Sequence, residues 1–160
     1  MKNFLPYFIS VSLFATVICF SSCDKENEVG LSEIRLDMPS SLDTNPHDTT
    51  FRIHPLTYYK FNKANYPGYT SFRFMVNTVR TYLPSSGKDT SGTCTIELYD
   101  LTHAVPLYGS IISSDDTTYL ISGNFMNELP DSDIDLTVRM KNDEYYLYSV
   151  YWSAYLIISQ

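Results

Sequence analysis

Asp133-Ile134-Asp135-Leu136-Thr137-Val138-Arg139-Met140-Lys141 decides the fold. Ile134, Leu136, Val138 and Met140 take every second position, and charged or hydroxylated residues fill the places between. Successive side chains of a strand point to opposite faces, so this spelling puts the apolar set on a core and the polar set in water. A helix would scatter the same charges around its circumference. The stretch is therefore a strand with one buried face.

The same period of two recurs outward from it. Ile96 and Leu98 alternate with Glu97 and Tyr99, with Cys94 on the apolar side. Phe72, Phe74 and Val76 alternate with Ser71, Arg73 and Met75, and Phe51 and Ile53 with Arg52 and His54. Val105, Leu107 and Ile111 face one way around Gly109, and Tyr119 and Ile121 follow a turn at Ser114-Asp115-Asp116. In residues 144–159 the even positions (Tyr146, Tyr148, Val150, Trp152, Ala154, Leu156, Ile158) form the more apolar face. That length predicts one long strand, or a strand with a bulge near Ser153. Turn signals at Pro67-Gly68, Pro84-Ser85-Ser86-Gly87, Ser122-Gly123-Asn124, Pro130-Asp131-Ser132 and Asn142-Asp143 separate six to eight short strands. Residues 23–160 hold no helical stretch of ten residues, which excludes α/β folds. The expected class is all-β: a single antiparallel β-sandwich over residues 50–160. Residues 23–49, broken by Gly30, Pro39 and Pro46, read as a tether. Within it Ile34, Leu36 and Met38 alternate with Glu33, Arg35 and Asp37, the pattern of a first edge strand rather than of pure linker.

Leu98-Tyr99-Asp100-Leu101-Thr102 and Ser122-Gly123-Asn124-Phe125 resemble the strand-loop-strand style of secreted jelly-roll modules, galactose-binding-like domains included. The resemblance implies a jelly-roll sandwich.

The N-terminus carries an address. Lys2 supplies a positive charge, residues 4–20 are rich in Phe, Leu, Ile and Val, and Ser21-Ser22-Cys23 follows. This is the order of parts in an export signal: a charge to orient it, an apolar stretch to enter the membrane, small residues to fit the peptidase. A spanning anchor would need roughly 20 apolar residues; this run is shorter, contains Pro6 and ends in Ser-Ser-Cys. Phe20-Ser21-Ser22-Cys23 resembles the lipobox of bacterial lipoproteins, with Phe20 where that family prefers Leu. The resemblance implies a signal peptide over residues 1–22 and lipidation of Cys23, with a diacylglyceryl group and a further acyl chain such as palmitate. One chain alone holds a protein only marginally, at about 0.8 kcal/mol per buried methylene. Asp24-Lys25-Glu26-Asn27-Glu28 resembles the export signal of Bacteroidota surface lipoproteins, with Asn27 between the acids. It implies a lipid-anchored protein of the outer membrane, exposed at the cell surface.

Charge narrows the partners. The chain carries −7, and the signal contributes only Lys2, so the remainder is more acidic still. Nucleic acid needs a positive footprint and is not expected as a partner. Cys19 leaves with the signal, Cys23 takes lipid and Cys94 stands alone, so no disulfide framework forms. Asp131, Asp133 and Asp135 have alternate spacing, yet Leu136 and Asn142 stand where a calcium loop needs Gly and a bidentate Glu. They read as the polar face of a strand, and no metal or cofactor is expected. No serine elbow, metal-ligand histidine spacing or phosphate loop occurs, so no catalytic residues are assigned and the chain is not expected to be an enzyme.

Aromatic residues make up 15% of the chain, with 14 Tyr. Tyr58, Tyr59, Tyr66 and Tyr69 crowd a loop-like stretch with Lys60, Asn62, Lys63 and Asn65, and Trp152 sits on the final strand. Rings stack on the C–H faces of sugars while neighbouring amides and charges bind hydroxyls. These five residues are the candidate ligand-binding set, although strand aromatics also simply fill cores. The expectation is a membrane-tethered binding module with polysaccharide as first ligand. The alternative is a non-catalytic structural or assembly subunit whose partner is another envelope protein.

Overall fold

The computed structural model describes residues 33–83, 88–89, 92–114 and 116–160. The expected signal (1–22), the lipidation site Cys23, residues 24–32 and the turn at 84–87 lie outside the described residues, as does the side chain of Tyr59. All described residues belong to one compact unit, Leu31–Gln160.

Twelve strands are described: β1 (Glu33–Met38), β2 (Leu42–Asp43), β3 (Arg52–Ile53), β4 (Tyr58–Phe61), β5 (Ser71–Leu83) and β6 (Lys88–Asp89). They continue with β7 (Cys94–Asp100), β8 (Val105–Pro106), β9 (Ile112–Ser114), β10 (Asp116–Ile121), β11 (Ile134–Asn142) and β12 (Tyr148–Ser159). The remaining regular pieces are short 3₁₀ turns at Lys63–Asn65, Tyr108–Ser110 and Met126–Glu128. The strands form two six-stranded sheets, and every pairing is antiparallel. The chain is an all-β sandwich.

Several short strands share a row. β1 and β2 both border β12, β3 and β4 both border β11, and β8 and β9 both border β7. Counted in chain order, with β6 set aside as a short pairing at the end of β5, eight rows result. The first sheet runs in the order one, eight, three, six, and the second in the order two, seven, four, five. Four of these neighbouring pairs sum to nine, as when an antiparallel ribbon doubles back along its length.

The core lies between the sheets and follows the alternation read from sequence where both faces of a strand differ clearly. Ile134, Leu136, Val138 and Met140 of β11, Ile96 and Leu98 of β7, and Phe72, Phe74 and Val76 of β5 are all buried in one cluster. Each such side chain removed from water contributes about 1.5–3 kcal/mol.

Three parts differ from the sequence reading. First, the edge strand read at Ile34, Leu36 and Met38 is present as β1, and with it the sandwich begins by residue 33, not 50. β1 pairs with β12 along its whole length, and Met38 and Leu42 are buried in the core. Second, β12 does not keep its even positions inward throughout. Ser149 and Tyr151 are buried in its first part, Ala154, Leu156 and Ile158 in its second. The inward side changes between Tyr151 and Ala154, and the paired stretch of β5 changes with it, from Val76 to Val79. Third, Phe51, Ile53, Tyr119 and Ile121 do not face the core. Ile53, Tyr119 and Ile121 are exposed, and Phe51 lies on the guanidinium of Arg139 at 4.2 Å. β3 and β10 are outermost rows, so their outward faces have no second layer to meet.

The inversion in β12 has a polar cause. Asn142 at the end of β11 is fully buried and uses its whole hydrogen-bonding capacity. Its Nδ2 donates to the carbonyls of Leu147 (2.5 Å) and Asn45 (3.1 Å). Its Oδ1 accepts from Thr44 Oγ1 (2.7 Å) and Ser149 Oγ (2.9 Å). Thr81 Oγ1 lies 3.0 Å from Ser149 Oγ. This network joins β11 of the second sheet to the segment after β2 and to β5 and β12 of the first. Ser149 must face inward to complete it, and that turns Tyr148 and Val150 out.

Burial also sets the response to alkali. The Cys94 thiol is pushed up to about 11, chiefly by burial, and the Tyr148 phenol to about 12 by burial and then its hydrogen bond to Asp43. Burial raises Tyr151 and Tyr66 as well. A raised acid favours the neutral form in the folded state. Its stabilisation is complete below the ordinary value, 9.0 for the thiol and 10.0 for the phenols, and is lost as pH rises through the raised one. The melting temperature is therefore expected to hold between pH 7 and 9 and to fall steeply from pH 10 to 12. A flat profile to pH 12 by circular dichroism would contradict the buried placement of these groups.

Candidate functional site

The pairings define two ends of the sandwich. One holds the start of β5 and the end of β12; the other holds the end of β5, the start of β12 and the end of β11.

The aromatic stretch at residues 58–69 closes the first end. Tyr58 and Phe61 stand in β4 opposite Leu136 and Ile134. Phe61 is buried, and Tyr66 stacks on it with ring centres 5.9 Å apart and 19° between planes. Tyr66 also meets Phe72 edge-on at 6.2 Å and Tyr69 at 6.4 Å. Tyr58, Tyr66 and Tyr69 are half-buried against the core cluster. The segment is bolted down by the acids of the 131–135 stretch. Asp133 accepts from Asn62 Nδ2 (2.9 Å), Asp135 from the Lys60 backbone N–H (3.2 Å), and Asp131 lies 3.1 Å from Lys63 Nζ. These carboxylates therefore work separately, each on its own partner. Among the described residues no group of three His, Cys, Asp or Glu is placed to hold a metal ion. Tyr58, Tyr66 and Tyr69 thus stand packed against the end of the core as well as partly open to solvent.

Trp152 has a different setting. It lies on the outer face of the first sheet and is 47% exposed, with the Arg80 guanidinium 5.9 Å from its ring centre. β10, β5 and β12 run side by side there. Tyr119 is opposite Asn77, which is opposite Ser153; Ile121 is opposite Met75, which is opposite Tyr155. Tyr119 and Ile121 are 66% and 55% exposed. Met75 and Ile157 are buried yet stand apart from the core cluster, because they lie under this outer layer. Adjacent strands are about 4.8 Å apart, so Ile121 and Tyr155 are separated by roughly 10 Å across the face. Arg73 and Arg35 flank Ile157, and Asp37 is opposite Tyr155. The result is a shallow aromatic and aliphatic surface bordered by guanidinium, carboxylate and amide groups. Sequence reading found Trp152 and missed Tyr119, whose place beside it arises only from the order of rows.

The outer face of the second sheet is closed by its own residues. Arg139 bridges the buried Glu97 at 2.5 Å, and the rings of Phe51 and Tyr99 both lie 4.2 Å from its guanidinium. Asp100, also buried, closes the turn after β7 by accepting from the backbone N–H of Thr102 (2.8 Å) and His103 (3.1 Å), with His103 Nδ1 at 2.6 Å. Both buried carboxylates are spent on local structure.

A cleft of about 550 Å³ opens at the second end, between β2, the 44–52 segment and Tyr148. Asp43 accepts from Tyr148 Oη at 2.6 Å and pairs with Arg52 Nη1. No helix among the described residues is long and apolar enough to cross a membrane. No protein-family model matches the chain, and comparison with curated proteins finds no relative.

Proposed function

We propose that this chain is a lipid-anchored protein of the outer membrane, exposed at the cell surface, whose jelly-roll sandwich binds glycan without catalysing a reaction. One observation carries the binding reading: Trp152 and Tyr119 lie exposed on the same face of the first sheet. Contiguous exposed aromatic surface on a monomeric domain marks a binding site. A flat surface suits the broad face of a sugar chain, and Arg73, Arg80, Asn77 and Asp37 stand where hydroxyls of such a chain would fall. Row pairs that sum to nine are the wiring of a jelly roll, which supports that form of sandwich. Of the five expected binding residues this reading centres on Trp152, with Tyr119 and Tyr155 beside it.

The test is a polysaccharide array probed with residues 24–160, which contain the whole compact unit. Retention on at least one polysaccharide is expected. Binding to none overturns the reading.

The anchor has its own test. Cys23→Ser is expected to abolish incorporation of an acyl label in cells; unchanged labelling would show that another residue carries the lipid. A second reading, a non-catalytic assembly subunit, is favoured by one feature. β10 is the outer row of the first sheet and carries exposed Tyr119 and Ile121, so a partner strand could add beside it. A stable complex recovered by cross-linking through β10, with no glycan retained, would select it.

A further inference from the structure

The cleft at the second end lies further along β12 from the aromatic face, at Tyr148, four residues before Trp152, and its chemistry is that of a small polar ligand site. Its walls bring together Asp43, Asp48, Arg52, Phe51 and Tyr148. A volume of about 550 Å³ falls within the ordinary range for small-molecule pockets.

The polar groups are held in place before any ligand arrives. Asp43 is fixed by Tyr148 Oη on one oxygen and Arg52 Nη1 on the other. Arg52 Nη1 also donates to the Asp43 carbonyl at 3.2 Å. Asp48 is set by the Thr50 backbone N–H and hydroxyl, both at 2.7 Å. The same two bonds, the backbone one first, keep its carboxyl below the ordinary carboxylate value, so it stays an acceptor. Phe51 and Tyr148 are the aromatic residues of the walls. Beyond the walls Tyr145 and Tyr146 are exposed, their rings 4.8 Å apart, and the His47 ring lies 5.8 Å from that of Tyr146. Tyr146 holds a left-handed backbone (φ 69°), which a non-glycine residue adopts at a cost. Its N–H donates to the carbonyl of Pro46, a wall residue, at 2.7 Å, and this ties the aromatic cluster to the wall.

Charge selects the class of ligand. Asp43 and Arg52 neutralise each other, which leaves Asp48. An anion would meet the Asp48 carboxylate, and a compact cation would meet the Arg52 guanidinium. A neutral polyol suits both, since each hydroxyl can donate to a carboxylate and accept from the guanidinium. We propose that this cleft binds the terminal residue of a neutral saccharide, with vicinal hydroxyls on Asp48 and Arg52 and its ring against the aromatic walls, Phe51 and Tyr148. The ligand class rests on the glycan reading above; the site is a different one. A chain could therefore be gripped at its end here and along its length on the face of the first sheet.

The test is ¹⁵N-edited NMR of residues 24–160 titrated with methyl glycosides of glucose, galactose, mannose and N-acetylglucosamine. One of them is expected to shift the amides of Asp48, Thr50 and Arg52. Arg52→Gln is expected to weaken that binding about tenfold or more, and Tyr148→Phe, which frees Asp43, to weaken it less. Both pairs are partly exposed, so neither change should unfold the domain. Trp152→Ala is expected to leave this titration unchanged. If no glycoside shifts these amides while the protein still binds a polysaccharide, the cleft proposal fails and the face reading stands. If glycosides shift them equally in Arg52→Gln, the cleft proposal also fails. If nothing binds in either assay, both readings fail.

Discussion

Asn142→Ala is expected to destabilise the domain by about 4 kcal/mol. The side chain is fully buried and makes four hydrogen bonds. Removing it leaves the carbonyls of Asn45 and Leu147 and the hydroxyls of Thr44 and Ser149 short of a partner in a place water does not reach. Each buried group left unsatisfied costs about 1–3 kcal/mol, offset in part by relaxation of the hydroxyls. Asn142→Asp keeps the shape but loses both donors and puts a charge in the core, so it is expected to be at least as damaging. The measurement is urea unfolding. A loss of this size lowers the midpoint by about 2 M for a domain of this length. A shift below about 0.5 M would mean that the network does not join the sheets as described.

Tyr151→Ala is expected to cost about 4 kcal/mol. Its ring is buried in the core between the two parts of β12 that face inward on opposite parity. Its hydroxyl donates to the Pro39 carbonyl at 2.8 Å and so holds the bend between β1 and β2. Tyr151→Phe separates the two contributions: it keeps the ring and loses the bond, for about 1 kcal/mol. Trp152→Ala, one residue on, removes an exposed ring and is expected to change stability by less than about 0.5 kcal/mol. If Trp152→Ala proves the costlier of the two alanine changes in chemical unfolding, the parity of β12 is the reverse of that described.

The contrast between these neighbours shows where the sequence was legible. β11 could be read directly because its apolar and charged positions alternate without exception, so only one face can be buried. β12 could not, because Ser149 is drawn inward by Asn142 and Trp152 is turned out. Hydropathy ranks those two the other way round. β12 is the one long strand expected, in constant register with β5 and with no bulge against it at Ser153; its inward side changes beside a buried polar network, which apolar periodicity does not encode. Tyr119 and Ile121 misled for a related reason. An outermost strand with one uncovered face carries the same alternation as one facing the core.

The candidate site followed the same logic. Rings on a loop read as presented rings, yet residues 58–69 fold back so that Tyr66 stacks on Phe61 and covers the end of the core. Three acids on the 131–135 stretch hold that segment in place, and nothing in local sequence pairs positions 70 residues apart. Trp152 could be picked out as an aromatic residue on a strand. Its partners Tyr119 and Tyr155 come together because row six borders row three and row three borders row eight. Strand order, not strand identity, builds this surface.

The most direct test of the account is affinity electrophoresis of residues 24–160 through gels carrying the polysaccharide identified on the array. The comparison is between the parent and Trp152→Ala with Tyr119→Ala, at matched melting temperature. Retardation of the parent is expected, with the double variant weakened about tenfold or more. Equal retardation of both proteins would contradict the assignment of glycan binding to the outer face of the first sheet.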